Sequence, residues 1–213
     1  MPIGHSTDSM VDSLFEDSGM YGQDAAEIFL QSLDPGSKVL DIGAGHSDAM
    51  KKRIENAGHQ YTALDIQNGE NWELHLRPRH FCAYDAVWMS HVLEHLMDTH
   101  AALQKIHNVL RGNGVVAITV PPLKHVIVGG HVSLWNAGLL LYRLVLAGFD
   151  CRGAAVKTYE YNCSVVVRRQ LIGELPPLTH DAGDLTALAK YLPVKVHNDS
   201  FAGEIANLNW RAV

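Results

Sequence analysis

The sequence predicts an α/β protein built on a doubly wound, mostly parallel sheet with helices on both faces. Three observations carry that expectation. Short, nearly continuous apolar segments alternate with longer amphipathic ones, which is how strands buried on both sides read when helices cover them. Glycine and proline stops separate these segments at strand and helix lengths. Two strand-like runs lie close together around Asn162, as an antiparallel hairpin at a sheet edge would. At 213 residues, 47% hydrophobic and 19% charged, the chain holds one sizeable core and is cramped for two.

The elements follow in order. Residues 1–20 are a polar lead-in without the basic and apolar regions of a signal peptide, so a cytoplasmic location is expected. Residues 24–33 (DAAEIFLQSL) have helical spacing and stop at Asp34-Pro35-Gly36. KVLDI at 38–42 is a first strand, and 47–57 is a helix closed by Gly58. YTALDI at 61–66 is a second strand, residues 67–83 give no clear element, and YDAVWMS at 84–90 is a further strand. A helix through 99–110 stops in Arg111-Gly112-Asn113-Gly114, and VVAITV at 115–120 is a buried strand ended by Pro121-Pro122.

The most apolar stretch, 132–149, contains Asn136 and Arg143 and falls short of the roughly 20 uninterrupted apolar residues of a membrane span. No membrane span is therefore expected. It reads as a helix apolar nearly all round, covered either by the tail or by a second copy of the chain in a homodimer. Trp135 before it reads as the anchor of that helix. The hairpin runs 154–161 and 164–169. The expected division is a lead-in at 1–20, a catalytic domain at 21–170, and an appendage at 171–213 packed on it.

Charge and cysteine content narrow the function. Lys and Arg number 17 against 23 Asp and Glu, a net charge of −6, which lacks the basic footprint of a protein that grips nucleic acid by its phosphates. The three cysteines form no Cys-x-x-Cys pair, so neither a disulfide framework nor a cysteine zinc site is expected.

The first strand runs straight into Asp41-Ile42-Gly43-Ala44-Gly45-His46-Ser47-Asp48, where a helix opens. Glycines there let backbone approach a ligand at the carboxyl edge of the sheet. Twenty residues beyond Gly45, the second strand reaches Asp65, the spacing of a carboxylate that grips ribose hydroxyls. A dinucleotide site wants a third glycine where this chain has Asp48, which would repel a pyrophosphate. Asp41, two residues before the first glycine, suits a cationic ligand carrying an amino group. S-adenosylmethionine has that chemistry: an adenosine, no phosphate, a sulfonium and an ammonium. An NAD-dependent oxidoreductase and a non-catalytic binding module are the competing readings.

These segments resemble a class I S-adenosylmethionine-dependent methyltransferase of the broad small-molecule group, over about residues 21–170. The resemblance rests on VLDIGAGHS at 39–47, ALDI at 63–66, YDAVWMSHVLEHL at 84–96, LRGNGVVAITVP at 110–121 and HVSLWNAGLLLYRLVLAGFD at 131–150. It implies a Rossmann-like, mostly parallel seven-stranded sheet with an antiparallel last strand. It also implies that Asp41, Gly43, Ala44 and Gly45 surround the methionine end of the cofactor. Asp65 would bind the ribose, Ile66 would flank the adenine, and Ser90 and His91 would line the sulfonium. Tyr21 in the lead-in would fold over the cofactor. Ser47 stands where many members have glycine, and 67–83 lacks the family's usual adenine-binding residues, leaving Asn68, Asn71 and Trp72 as candidates.

Thirteen histidines are many for this length. His91-Val92-Leu93-Glu94-His95 matches the H-x-x-E-H pattern of inverted zinc peptidases, but that pattern needs a helix through both histidines and here His91 follows directly on a strand. No metal is therefore expected. His91 and His131 remain the candidate catalytic residues, since an imidazole titrates near neutral pH and both fall on the expected acceptor side. The expected reaction is methyl transfer to a small-molecule acceptor, O-methylation of a sugar, lipid intermediate or other metabolite being the preferred form.

Overall fold

A computed structural model describes residues 20–65, 81–170 and 172–213. Seven strands form one sheet: β1 (Lys38–Ile42), β2 (Gln60–Leu64), β3 (Tyr84–Ser90), β4 (Leu110–Val120), β5 (Ala155–Tyr159), β6 (Asn162–Arg168) and β7 (Asn207–Leu208). Their order across the sheet is β2-β1-β3-β4-β6-β5-β7. Strands β2, β1, β3 and β4 are parallel, and β6 runs antiparallel to both β4 and β5. The expected hairpin is present, yet it is not the edge. The two-residue β7, contributed by the tail, pairs antiparallel with β5 outside it.

Alternation along the strands sends side chains to opposite faces. Leu40, Ile42, Val87 and Met89 face one core, while Val39, Ala86 and Trp88 face another. Helices α3 (Thr99–Val109) and α4 (Ala137–Leu146) cover the first face, and α1 (Gln23–Gln31) and α2 (Ala49–Asn56) the second. The caps follow from sequence. Asp98 accepts the Ala101 N–H at 2.9 Å to open α3, and Asn136 accepts the Leu139 N–H at 2.8 Å to open α4. Strand β4 starts earlier than its apolar run, because the register jumps between Tyr84 and Ala86 and residues 111–114 stay in the ladder as a bulge. Asn113 there is left-handed at φ +68°, as a turn residue should be. No helix among the described residues is long and apolar enough to cross a membrane.

The tail supplies the cover that α4 needs. Leu188, in the short helix α5 (Asp184–Leu188), and Leu192 are buried in the α3/α4 core, while Trp210 and Val213 pack against the opposite one. Gly138 is where the tail presses closely on α4. Its N–H donates to the Gly203 carbonyl at 2.8 Å, and a Cβ on it would stand 2.6 Å from Gly203 Cα and 2.9 Å from the Phe201 ring. Gly→Ala inside a helix ordinarily stabilises by roughly 0.5–1 kcal/mol. Gly138→Ala is expected to do the reverse, lowering the melting temperature and exposing residues 195–205 to limited proteolysis. A rise in melting temperature would show that the tail does not press on α4.

Candidate active site

The carboxyl ends of β1, β2, β3 and β4, with the amino end of antiparallel β6, open on one edge of the sheet. The turn after β1 is built by its glycines. Gly43 is left-handed at φ +78° and its N–H donates to Leu64 O at 2.8 Å; a Cβ there would stand 2.1 Å from Val92 Cγ2. Gly45, at φ +60°, faces open space and donates its N–H to Asp65 Oδ2 at 2.6 Å. Ala44 lies between them, partly exposed. The loop is thus tied to the second strand and to the segment after the third, leaving its backbone exposed.

Two carboxylates stand beneath it. Asp41 is 4% and Asp65 7% exposed. Burial pushes the Asp41 carboxyl up to about 6, the Tyr61 hydroxyl that donates to it at 3.0 Å works against this, and nearby Asp65 adds to it. The same pair holds the Tyr61 phenol well above its usual range, burial being the first cause. A buried acid of this kind is a group that a cationic ligand would hold ionised.

On the other side, Tyr21 and Gly22 lie against the ends of β3 and β6. Tyr21 is 43% exposed, and its ring centroid lies 4.4 Å from that of His91. Ser90 Oγ donates to Tyr21 O at 3.4 Å. Asn162 Oδ1 accepts the Gly22 N–H at 3.0 Å and bonds His91 Nε2 at 3.1 Å. His91 is left-handed at φ +53°, held by its own N–H to Thr119 O at 2.9 Å. A bulky residue in that conformation marks a position over-determined by its surroundings.

Beyond His91 the chain makes a 3₁₀ turn, Leu93–His95, not a continuous helix. Glu94 in that turn is fully buried, and neither carboxylate oxygen has a hydrogen-bond partner among the described residues. His91 Nδ1 lies 3.4 Å and His95 Nε2 3.9 Å from Glu94 Oε1. His131 arrives from the loop after β4, its ring edge-on to His95 at 4.9 Å. Burial lowers the His131 pKa; Glu94 opposes this, and His95 and His91 reinforce it. The same loop and the tail enclose a cavity of about 230 Å³ lined by Pro122, Leu123, Ala137, Thr158, Cys163 and Glu204, among others. Trp135 is buried and donates to Ser133 Oγ at 2.8 Å, so it anchors the loop into α4.

Of the residues singled out from sequence, Asp41, Gly43, Ala44, Gly45, Asp65, Tyr21, Ser90 and His91 come to this one edge. His131 lies with Glu94 and His95, one turn further on. Ile66, Asn68, Asn71 and Trp72 fall outside the described residues. Sequence reading overlooked Asn162, which reads as a hairpin residue and joins Gly22 to His91. It also discarded Glu94 and His95 with the helical zinc pattern. The signal that could have retained Glu94 was an acid at the sheet edge flanked by apolar Val92, Leu93 and Leu96.

The two glycines separate conformation from contact. Gly45→Ala is expected to cost about 1–2 kcal/mol, the left-handed penalty alone. Gly43→Ala should cost clearly more, since overpacking against stiff Val92 adds about 1–3 kcal/mol. Urea denaturation of both variants checks the ranking, and equal losses would contradict the close approach.

Comparison with known proteins agrees with this geometry. No curated protein matches the chain in sequence. Among solved structures, the chain is similar to 1,6-didemethyltoxoflavin-N1-methyltransferase from Burkholderia thailandensis, with a TM-score of 0.57 and 18% identity over 76% of this chain and 83% of that one. A SAM-dependent methyltransferase from Archaeoglobus fulgidus gives a TM-score of 0.58 at 14% identity, over 76% and 94% of the two chains. Another from Aquifex aeolicus gives 0.54 at 18%, over 78% and 100%. Such identities speak for the fold. The family assignment comes from the sequence itself, since residues 21–151 match the methyltransferase domain family. With a glycine loop, paired carboxylates and the seven-stranded sheet all in place, the chain belongs to the methyltransferase domain family, as a class I S-adenosylmethionine-dependent enzyme.

Proposed function

We propose that this protein transfers a methyl group from S-adenosylmethionine to an oxygen of a small-molecule acceptor. The observation that carries the reading is the joint placement of Asp41, the Gly43–Gly45 loop, Asp65 and His91 on one sheet edge. The cofactor supplies a methyl on a sulfonium, and S-adenosylhomocysteine is the other product. Asp41 would hold the cofactor's ammonium, and Asp65 a ribose hydroxyl. The exposed backbone of Gly43, Ala44 and Gly45 would lie against the methionine part, with Ser90 and His91 beside the sulfonium and Tyr21 closing over it. Ile66 remains the proposed flank of the adenine. Held by Asn162 and in tilted ring contact with Tyr21, His91 is a rigid wall near the transferred group. Placement and exclusion of water supply most of the rate, as methyl transfer needs little acid–base help.

The acceptor side would be the loop carrying His131 and the cavity beside Glu204, which makes residues 172–213 a strap over the catalytic domain. A net charge of −6 supports a small molecule over nucleic acid. The Burkholderia neighbour is itself an enzyme of a small molecule, 1,6-didemethyltoxoflavin.

Two measurements test this. Asp65→Ala should weaken S-adenosylhomocysteine at least tenfold in calorimetry; unchanged affinity would reject the ribose assignment. Asp41 gives the pH dependence. Its carboxyl is raised to about 6, so it favours the folded state when protonated, and that contribution is lost as pH rises through about 6. Cofactor binding has the opposite sign, because an ammonium of pKa about 8 pairs with the ionised form. Affinity should be level at pH 7–7.5 and fall roughly tenfold per unit well below pH 6, a fall that Asp41→Asn removes. An unchanged slope in that variant would place the titrating group elsewhere.

A further inference from the structure

We infer that Glu94, His95 and His131 form a binding site for a divalent transition-metal cation at the acceptor side of the sheet edge. One ligand atom from each of the three lies within 4.8 Å of the others. Two ligands on a tetrahedral ion with bonds of about 2.1 Å stand about 3.4 Å apart, so side-chain movements of about an ångström would complete the set.

Three features point to a cation. Glu94 is fully buried with both oxygens lacking a hydrogen-bond partner among the described residues, a costly state for an anion. The histidine tautomers are set against it. His95 Nδ1 lies 2.9 Å from Gly130 O, and a carbonyl only accepts, so Nδ1 carries a proton, and in the neutral imidazole the Nε2 lone pair is the one that faces the carboxylate. Asn162 Oδ1, identified as the oxygen by the Gly22 N–H it accepts, likewise takes the His91 Nε2 proton. In a neutral imidazole, the His91 Nδ1 lone pair then faces Glu94 Oε1 at 3.4 Å. A cation held between these nitrogens and the carboxylate would pair with all of them.

The surrounding backbone holds the site in place. Val132 and Ser133 N–H groups both donate to Glu94 O, at 2.9 and 3.3 Å, fastening the His131 loop to the turn. Gly130, at φ +81°, packs against the His95 ring, where a Cβ would stand 3.3 Å from Nδ1. His95 is exposed and His131 partly so, which leaves the outer coordination positions open to water or an acceptor. Two imidazoles and a carboxylate with open positions suit Zn²⁺, Co²⁺ or Mn²⁺. The role, though not the site, rests on the proposed methyl transfer: the cation would bind and acidify an acceptor hydroxyl. The hydroxyl's proton leaves to water, its oxygen pair forms the bond to the methyl carbon, and the carbon–sulfur pair stays on S-adenosylhomocysteine.

The test is direct binding of Co²⁺, followed by its visible absorption, and of Zn²⁺ and Mn²⁺ by calorimetry, on chelator-stripped full-length protein. One equivalent should bind; Glu94→Gln and His131→Ala should each weaken it at least tenfold, and the exposed-site control His197→Ala should not. S-adenosylhomocysteine affinity is measured separately and should survive stripping and both substitutions, which keeps failure of the metal site apart from failure of the cofactor site. Because buried Glu94→Gln could disturb folding, partly exposed His131→Ala and circular dichroism of each variant serve as the second measure. Absence of binding by all three cations to folded protein overturns the inference, as does equal binding by Glu94→Gln. So does ¹⁵N resonance evidence that protons sit on both nitrogens of His91 and His95 at pH 7, with no displacement by cation.

Discussion

The closest approach in the site is Gly43 against Val92, where a Cβ would come within 2.1 Å of a methyl group. This one contact couples two halves that the chain separates by nearly fifty residues. On one side the left-handed glycine lets the turn after β1 hydrogen-bond Leu64 and reach Asp65 through Gly45. On the other, Val92 lies between His91 and the turn that carries Glu94. Any larger residue at position 43 would push the ligand-facing loop away from the histidine segment. The glycine loop and the histidine segment therefore share one packing constraint.

Asn162 plays a similar part by hydrogen bonding. It stands at the amino end of β6, which reaches the carboxyl edge of the sheet only because that strand runs against its neighbours. From there its carbonyl oxygen receives the Gly22 N–H and the His91 ring N–H, so the start of α1, the end of the third strand and the hairpin meet at one side chain. The antiparallel strand thus does more than end the sheet. It carries a polar anchor to the edge where the ligand-facing groups gather.

Much of the fold was legible because the information was local. Strand KVLDI, strand YDAVWMS and the helix from Thr99 were readable from apolar runs and stops, and they appear at nearly the expected bounds. The apolar helix α4 announced that it needed a cover, and the tail is that cover. The bulge at residues 111–114 was not readable, since glycine and asparagine there fit a turn equally well and only the partner strand keeps them in the ladder. Nor was β7, whose two residues pair only because β5 offers a free edge.

The sequence by itself determined the glycine loop and the acids at 41 and 65, since these depend on spacing and local conformation. Only the tertiary structure decided that Glu94 is buried without a hydrogen-bond partner among the described residues and that His95 and His131 turn toward it. Burial, tautomer and the meeting of two loops are set by groups distant along the chain, Gly130 and Asn162 among them. A histidine's chemistry is fixed by the partner of its other nitrogen. That partner is a property of the folded molecule and leaves no mark in the spacing of the chain.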